Sequence, residues 1–307
     1  MNAFATVPRY LLRPLAIWQN RHKIRLWRRI SYTLIQQLSL QERFKVRFYG
    51  ADFHPFPSSV SLALWLFGEQ LWLEQDIQFL LELLRPGDTF VDIGANVGTH
   101  SICVGRHCGA STTVYSFEPH PRIYSYLTKN IALNKLHNIY PYNVALGETE
   151  GTVCLYNTVL DDRNHVSPPD EKGEVSVPLR TLDSFDCILK GLPTIKLDVE
   201  GYELFVLKGA PRTLEQVRFL YLEVGHGNSA LFGYSAEDLL KFLEHTGWRL
   251  FRFEHPKRLV EIPPKYQPSE IENIVCARCY ESDRTVGDLY YPGEVIRCYL
   301  GMGFSTY

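Results

Sequence analysis

Two groups of residues have the types and the spacing that chemistry on a bound ligand requires. The first is the run DVEGYE, in which Asp198 and Glu200 follow an apolar stretch with one residue between them. On an extended chain two such side chains point to the same side. Together they can act as a base with an orienting partner, or bind a divalent cation through oxygen. Histidines at a fixed spacing do not accompany them, so we expect no bound metal.

Glu223 and His226 follow the next apolar stretch and extend this acidic group. Glu223 offers a third carboxylate, and a neutral imidazole at His226 could serve as a base near neutral pH. Glu203 closes the DVEGYE run, and we expect it to stabilise the first turn of a helix instead. A plainer alternative is that the acids cap helices or form ion pairs with nearby cations: Lys196, Lys208 and Arg212.

The second group lies in the stretch DTFVDIGANVGTHS, where an apolar strand leads into a turn and a helix. Gly94 and Gly98 would let the backbone approach a ligand that a Cβ atom would block. Asn96 stands where a dinucleotide-binding turn has its middle glycine, and Asn tolerates a left-handed backbone better than most residues. Its amide would crowd a pyrophosphate but leave room for an amino-acid-like end of a cofactor.

Two further acids accompany this turn. Asp92 ends the first predicted strand and is expected to face a ligand's ammonium group, directly or through water. Glu118 ends the second and stands 20 residues after Gly98. A carboxylate there binds both hydroxyls of a ribose, because it accepts two hydrogen bonds at once. The turn and the second acid predict a ribose-containing cofactor, and leave nicotinamide and S-adenosylmethionine both open.

These residues fall at the ends of strands in an alternating series of strands and helices. Strands are predicted at 89–94, 113–119, 139–147, 193–201 and 217–225. Helices are predicted between them, and Ser235 is the expected N-cap of a later helix. A β-rich insertion lies between the third and fourth strands. This alternation predicts an α/β fold with a doubly wound, mostly parallel sheet, in which ligands bind at the carboxyl ends of the strands.

The composition fits a soluble globular protein with one large domain and additions. The chain has 307 residues, of which 45% are hydrophobic and 21% charged. Its net charge of −2 gives no general attraction for nucleic acid, so we expect no such partner. Seven scattered cysteines do not form a disulfide framework, which favours a reducing compartment, the cytoplasm.

Several stretches together resemble the FkbM-type methyltransferases: FVDIGANVGTHS, FEPHP, NIALN, NVALGETEG and IKLDVEGYELFVLKGA. The likeness covers roughly Glu74 to Glu254, and the run from Asp198 to Glu203 is its most specific part. It implies a class I methyltransferase Rossmann-like fold with one antiparallel strand, and S-adenosyl-L-methionine as the cofactor. It also implies methyl transfer to a hydroxyl oxygen of a small molecule, a sugar or a glycan or glycolipid intermediate.

Carried over position by position, the resemblance assigns cofactor binding to eight residues: Asp92, Gly94, Asn96, Gly98, Glu118, Asn143, Ala145 and Asp198. Asn143 and Ala145 would flank the adenine, although the Asp more common at such positions is absent. Methyl transfer to oxygen is an in-line displacement that depends on positioning, on excluding water and on a base. We therefore predict Asp198, Glu200 and His226 as the catalytic residues.

The resemblance divides the chain into a basic, helical N-terminal extension (1–72), a methyltransferase domain (73–279) and a C-terminal tail (280–307). No acid precedes Glu42, whereas seven Arg and Lys residues do. The extension could pack on the domain with its arginines in solvent, or lie on an anionic membrane surface as an amphipathic helix. We expect the core to fold without residues 1–40, and the sequence does not indicate an oligomeric state.

Two other functions stay open at this point. An NAD-dependent oxidoreductase would require the missing middle glycine and a hydride-site pair such as Tyr-x-x-x-Lys, which the sequence lacks. A non-catalytic binding protein could retain the methyltransferase fold, but such a protein often loses acids like Glu118, Asp198 and Glu200.

Overall fold

A computed structural model describes residues 45–54, 71–156, 165–167, 173–190, 193–225, 229–255, 258–263, 265–268 and 271–278. The strands and helices follow in chain order: β1 (Val46–Phe48), β2 (Ala51–Phe53), α1 (Leu71–Leu83), β3 (Thr89–Ile93), α2 (Thr99–His107), β4 (Thr113–Phe117), α3 (Pro121–Leu133), β5 (Ile139–Tyr142), β6 (Ala145–Leu146), β7 (Gly151–Tyr156), β8 (His165–Val166), β9 (Val175–Arg180), β10 (Pro193–Leu197), α4 (Glu203–Lys208), α5 (Pro211–Gln216), β11 (Phe219–Val224), α6 (Ala236–His245), β12 (Arg249–His255), β13 (Arg258–Glu261) and β14 (Glu272–Ala277). The N-cap expected of Ser235 is confirmed, because Ser235 and Asp238 form a capping box at the start of α6.

The main sheet has the strand order β13-β12-β14-β11-β10-β3-β4-β5. Strands β5, β4, β3, β10 and β11 are parallel, and β14 runs antiparallel to both of its neighbours. The predicted mostly parallel sheet is thus confirmed, and β13 adds a second antiparallel strand at the edge. The chain leaves β3 towards β4 and later returns on its other side as β10. The carboxyl ends of β3 and β10 therefore form the switch point where such sheets bind ligands.

Helices cover both faces of this sheet, as its apolar strands require. Every residue of β3 and of β10 is buried. On one face Ile77 of α1, Ile102 of α2 and Leu127 of α3 belong to one hydrophobic cluster. On the other face Leu204 of α4 and Leu239 of α6 belong to a second cluster. These two layers fix the carboxyl ends of the central strands.

The N-terminal hairpin of β1 and β2 is part of the main domain. Its Phe48, Ala51 and Phe53 are 4%, 0% and 0% exposed and share the cluster that α1, α2 and α3 form. The predicted boundary at residue 72 therefore does not separate this hairpin from the core, and the division into 1–72, 73–279 and 280–307 stays a prediction. Residues 1–44 and the tail 279–307 lie outside the described residues. Within the described ranges no helix combines the length and the hydrophobicity that crossing a membrane demands.

The predicted β-rich insertion forms a small second sheet with the strand order β6-β9-β7-β8. The third predicted strand, 139–147, is split between the two sheets. β5 ends at Tyr142, and β6 pairs with β9 of the small sheet. Between them, the side chain of Asn143 donates to the backbone oxygens of Glu118 (2.9 Å) and Pro119 (2.8 Å), which fixes the chain where it changes sheet.

Candidate functional site

The turn after β3 has the backbone that its sequence predicts. Asn96 is left-handed, with φ of 50°, and Gly98 follows with φ of 92°. The Asn96 side chain accepts a hydrogen bond from Val97 N–H at 2.7 Å. The Asn96 backbone N–H donates to Oε2 of Glu118 at 3.0 Å. The turn and the acid after β4 are therefore one hydrogen-bonded unit.

The two glycines of this turn make room for protein atoms. A Cβ atom on Gly94 would lie 1.8 Å from the backbone oxygen of Asp198. A Cβ atom on Gly98 would lie 2.6 Å from Cδ1 of Leu127 in α3. Glycine is therefore needed at both positions because the loop after β10 and helix α3 pack closely against the turn. The sequence prediction had attributed the two glycines to the approach of a ligand.

Glu118 lies at the carboxyl end of β4, where the sequence places a ribose-binding acid. Its side chain is buried, and Oε1 accepts a second backbone hydrogen bond, from His120 N–H at 2.9 Å. Burial raises the pKa of this carboxyl to about 7, and the hydrogen bonds from His120 and Asn96 offset part of that rise. Each carboxylate oxygen has a further lone pair, so the group can still accept from a diol.

Asp92 does not face the crevice as predicted. Its side chain is 0% exposed, and Oδ2 accepts from the N–H (3.1 Å) and hydroxyl (2.6 Å) groups of Ser101 in α2. The cation beside it belongs to the protein, because Nζ of Lys196 lies 3.4 Å from Oδ1. A direct contact between Asp92 and a ligand's ammonium is therefore ruled out in this arrangement.

Sequence reasoning named Lys196 only as a possible ion-pair partner of the acids, and the structure places it between Asp198 and Asp92. Its ammonium group is buried within β10, donates to the backbone oxygen of Gly94 at 3.1 Å and lies 3.3 Å from Oδ2 of Asp198. Burial lowers its pKa, but the carboxylates of Asp198 and Asp92 outweigh that effect and leave the pKa above its ordinary value. Its burial was not predicted, although a lone charge inside the apolar strand PTIKL is a signal for it.

A row of buried polar side chains crosses the sheet at this level. Asp92 lies beside Ser116 in register on one side and beside Lys196 on the other, and Lys196 lies beside Tyr221. The Tyr221 hydroxyl donates to Asp76 of α1 at 2.5 Å. Charge partners of this kind offset the cost of burying Lys196 and Asp92. Through Lys196, this buried row contacts Asp198 at the edge of the crevice.

Asp198, Glu200 and Glu223 converge at the ends of β10 and β11. One carboxylate oxygen from each lies within 4.8 Å of the others, and all three residues are partly exposed. The predicted juxtaposition of Asp198 and Glu200 is confirmed, but its cause is a turn and not an extended chain. Glu200 is left-handed with φ of 56°, an uncommon state for a non-glycine residue that marks local strain.

Glu203 holds this strained turn in place, as its predicted structural role requires. Its buried Oε1 accepts from the N–H groups of Val199 and Gly201, both at 3.1 Å, on either side of Glu200. The Tyr234 hydroxyl donates to the Gly201 oxygen at 2.8 Å and also lies 3.2 Å from Oε2 of Glu203. These hydrogen bonds therefore fix the backbone on both sides of Glu200.

The chain matches the methyltransferase FkbM domain over residues 92–250, which is about half of its length. It is 30% identical over 172 residues to the hexuronic acid methyltransferase AglP of Haloferax volcanii, covering 52% of this chain and 68% of that one. The chain belongs to the FkbM methyltransferase family. Its cofactor is S-adenosyl-L-methionine, as the resemblance implied, and neither alternative function gains support.

The chain is also similar to a second methyltransferase and to a solved structure. The 2-O-methyltransferase NoeI of Sinorhizobium fredii is 27% identical over 173 residues, covering 50% of this chain and 69% of that one. A SAM-dependent O-methyltransferase structure from Thermotoga maritima aligns with a TM-score of 0.38 and 14% identity, covering 68% of this chain and 66% of that chain.

Three predicted site residues of this FkbM methyltransferase remain: the cofactor candidates Asn143 and Ala145, and the catalytic candidate His226. Asn143 lies beside the crevice but uses its amide N–H groups on the backbone of the β4 loop. Ala145 is 4% exposed and packs with Leu155 and Val177 in the small sheet, so its side chain does not flank an adenine there. His226 lies outside the described residues. The roles of Asn143 and His226 stay predictions.

Two features of the crevice fit the cofactor of this family. Glu118 has unused lone pairs that can accept hydrogen bonds from a diol. The turn beside it has Asn96, in a left-handed conformation, where a pyrophosphate-binding turn has a glycine. At Glu223, burial and then the charges of Asp198 and Glu200 raise the pKa of the carboxyl to about 9. The oxygen cluster is also compact enough for a divalent cation, so the expectation of no metal stays a prediction.

Proposed function

We propose that this protein transfers a methyl group from S-adenosyl-L-methionine to a hydroxyl oxygen of a sugar or sugar-containing acceptor. The observation that carries the proposal is the cluster of Asp198, Glu200 and Glu223 beside the cofactor turn. Similarity to AglP, a hexuronic acid methyltransferase, and to NoeI, a 2-O-methyltransferase, favours an oxygen of a sugar. When bound, the cofactor supplies an electrophilic methyl group on a sulfonium.

The three carboxylates can both receive and give hydrogen bonds to a polyhydroxyl acceptor. Glu223 retains its proton at neutral pH, because its pKa is raised to about 9, so it can donate to an acceptor oxygen. Asp198 is partly exposed on the crevice wall, with Lys196 fixing one of its oxygens. In the proposed reaction Asp198 accepts the proton that the attacking hydroxyl loses.

Positioning supplies the rest of the chemistry that the chain's own residues can perform. Glu203 and Tyr234 fix the turn that carries Glu200, and Lys196 joins that loop to the turn after β3. A nucleophile held at a fixed distance and angle gains rate from orientation alone. Three partly buried aromatic side chains follow this turn or pack against it: Tyr202, Phe205 and Phe232, which stack or meet edge to face. Such faces suit the apolar side of a sugar ring.

A labelled-methyl assay tests the reaction. The protein and methyl-labelled cofactor are incubated with extracts of the source cell that are separated into lipid, glycan and small-molecule fractions. We expect label in a sugar-bearing fraction, and the label should survive mild alkali because an ether is stable where a methyl ester is released as methanol. Alkali-labile label would move the acceptor oxygen from a hydroxyl to a carboxylate.

Cofactor choice is tested separately by thermal shift. S-adenosylhomocysteine should stabilise the protein, whereas NAD should not, because binding to the native state alone raises the melting temperature. Stabilisation by NAD alone would overturn the proposal. Tight S-adenosylhomocysteine binding without label in any fraction would instead favour a binding protein that retains the fold.

A further inference from the structure

One side chain links the cofactor turn to the N-terminal hairpin. Asn130 of α3 is 0% exposed, and its Nδ2 donates to the backbone oxygen of Val97 in the turn at 2.9 Å. The same Nδ2 lies 3.3 Å from the backbone oxygen of His54, and Oδ1 accepts from His54 N–H at 2.7 Å. His54 directly follows β2, so a single amide joins three backbone groups of two distant segments.

Asn134 lies one helical turn later and holds the hairpin in the same way. Its Oδ1 accepts from Asp52 N–H at 2.9 Å, and its Nδ2 donates to the Asp52 oxygen at 2.7 Å. Residues four apart share one face of a helix, which is why both amides meet the same strand. The other bond of Asn134 goes to the backbone of its own helix, at Asn130. Asn134 therefore binds the hairpin, and its side-chain hydrogen bonds do not include the cofactor turn.

Asn130 completes the hydrogen bonding of the turn from the side opposite to Glu118. The N–H of Asn96 binds Glu118, and the oxygen of Val97 binds Asn130. Val97 is 5% exposed, so without Asn130 this oxygen would be left without a partner away from water. An unsatisfied buried polar group is costly, so the turn would shift to find another partner.

We propose that Asn130 is a positioning residue for the cofactor, through which the docked hairpin of β1 and β2 fixes the shape of the cofactor turn. The inference rests on the proposed function, in which this turn holds the cofactor. It extends the cofactor site to a hairpin that lies outside the family match at residues 92–250. Coupling between two sites is reciprocal, so cofactor binding also stabilises the docked hairpin.

The matched variants Asn130→Ala and Asn134→Ala test this coupling. Each removes two hydrogen bonds to the hairpin, whose Ala51 and Phe53 keep it docked by their burial. Both variants should melt at a lower temperature than the unaltered protein. By calorimetry, Asn130→Ala should weaken S-adenosylhomocysteine binding about tenfold or more, and Asn134→Ala by about twofold or less. Equal weakening in both variants, or none in Asn130→Ala, overturns the inference.

Hydrogen exchange on the unaltered protein gives a second measurement that needs no variant. Adding S-adenosylhomocysteine should slow amide exchange in peptides that contain Asp52 and His54 as well as in the turn itself. Slower exchange in the turn with unchanged exchange in the hairpin overturns the inference while the proposed function stands. If the unaltered protein does not bind S-adenosylhomocysteine at all, the proposed function fails and takes this inference with it.

Discussion

The ammonium nitrogen of Lys196 lies 3.3 Å from a carboxylate oxygen of Asp198, at the point where β10 ends and the crevice begins. One partner is buried and the other is partly exposed, so the pair connects the interior of the sheet to the crevice at the carboxyl ends of its strands. Asp92 lies on the other side of the same ammonium at 3.4 Å. Asp198, the catalytic candidate, is therefore held in position by two buried charged groups, Lys196 and Asp92.

Removing the Lys196 ammonium should destabilise the protein strongly. Lys196→Met leaves Asp92 buried without its cation, and we expect a loss of about 3–5 kcal/mol in the free energy of unfolding. Adding Asp92→Asn to this variant should recover part of the loss, because the buried charge is then gone. Urea unfolding measures the loss in the single variant and its recovery in the double variant.

Lys208→Met is the control, because the Lys208 ammonium is 39% exposed and lies 3.9 Å from Glu148. This variant should lose less than about 1 kcal/mol in the free energy of unfolding. Equal losses for the two single variants would contradict this view.

Asp198→Ala should abolish methyl transfer while leaving cofactor affinity within about tenfold of the unaltered protein. In the proposed reaction Asp198 accepts the proton from the acceptor hydroxyl, whereas the cofactor turn keeps its bonds to Glu118 and Asn130. The labelled-methyl assay gives the activity, and calorimetry with S-adenosylhomocysteine gives the affinity. If affinity is lost instead, Asp198 belongs to the cofactor site and not to catalysis.

Local patterns predicted the parts of this structure that local chemistry determines. The left-handed backbone at Asn96 follows from the residue's own tolerance, and the Ser235 cap follows from its hydroxyl and the acid three residues later. The order of strands and helices followed from hydrophobic patterning and the family resemblance.

What the sequence did not reveal depends on contacts between distant segments. Gly94 and Gly98 are explained by packing against Asp198 and Leu127, which no local pattern indicates. Asp92 was expected at the crevice, but register with Lys196 and the hydroxyl of Ser101 place it inside. Placing the hairpin correctly would have required knowing that Phe53 shares a core with α3.

Cofactor binding should weaken as the pH falls through 7. Burial raises the pKa of Glu118 to about 7, and only the ionised carboxylate accepts from both ribose hydroxyls. We expect S-adenosylhomocysteine to bind about tenfold more weakly at pH 6 than at pH 8. Glu118→Gln should bind weakly at both values with no such slope. A slope that persists in Glu118→Gln would assign the titration to another group.

Asn96→Gly should retain the turn but loosen it. Glycine adopts φ of 50° without strain, so only the bond from Val97 N–H to the side-chain amide is lost. We expect cofactor affinity to fall severalfold with little change in the melting temperature. Asn96→Ala should in addition lose about 1–2 kcal/mol of stability, because its Cβ atom disfavours that backbone. Unchanged affinity in Asn96→Gly would show that the amide is incidental to cofactor binding.

Stability should fall at alkaline pH through Glu223. Burial, followed by the charges of Asp198 and Glu200, raises its pKa to about 9, so the folded state keeps a proton that the unfolded state releases. Its contribution is complete below the ordinary glutamate pKa and is lost as the pH rises through 9. Between pH 7 and pH 9 the unaltered protein should lose roughly 2 kcal/mol more than Glu223→Gln does.

Urea unfolding of both proteins across this range measures that difference and cancels the titration of groups they share. Glu215→Gln is the matched control, because Glu215 is exposed on α5, away from the cluster. It should follow the pH dependence of the unaltered protein. If Glu223→Gln also does so, Glu223 is ionised at neutral pH, and the proton that we assign to the acidic cluster is absent.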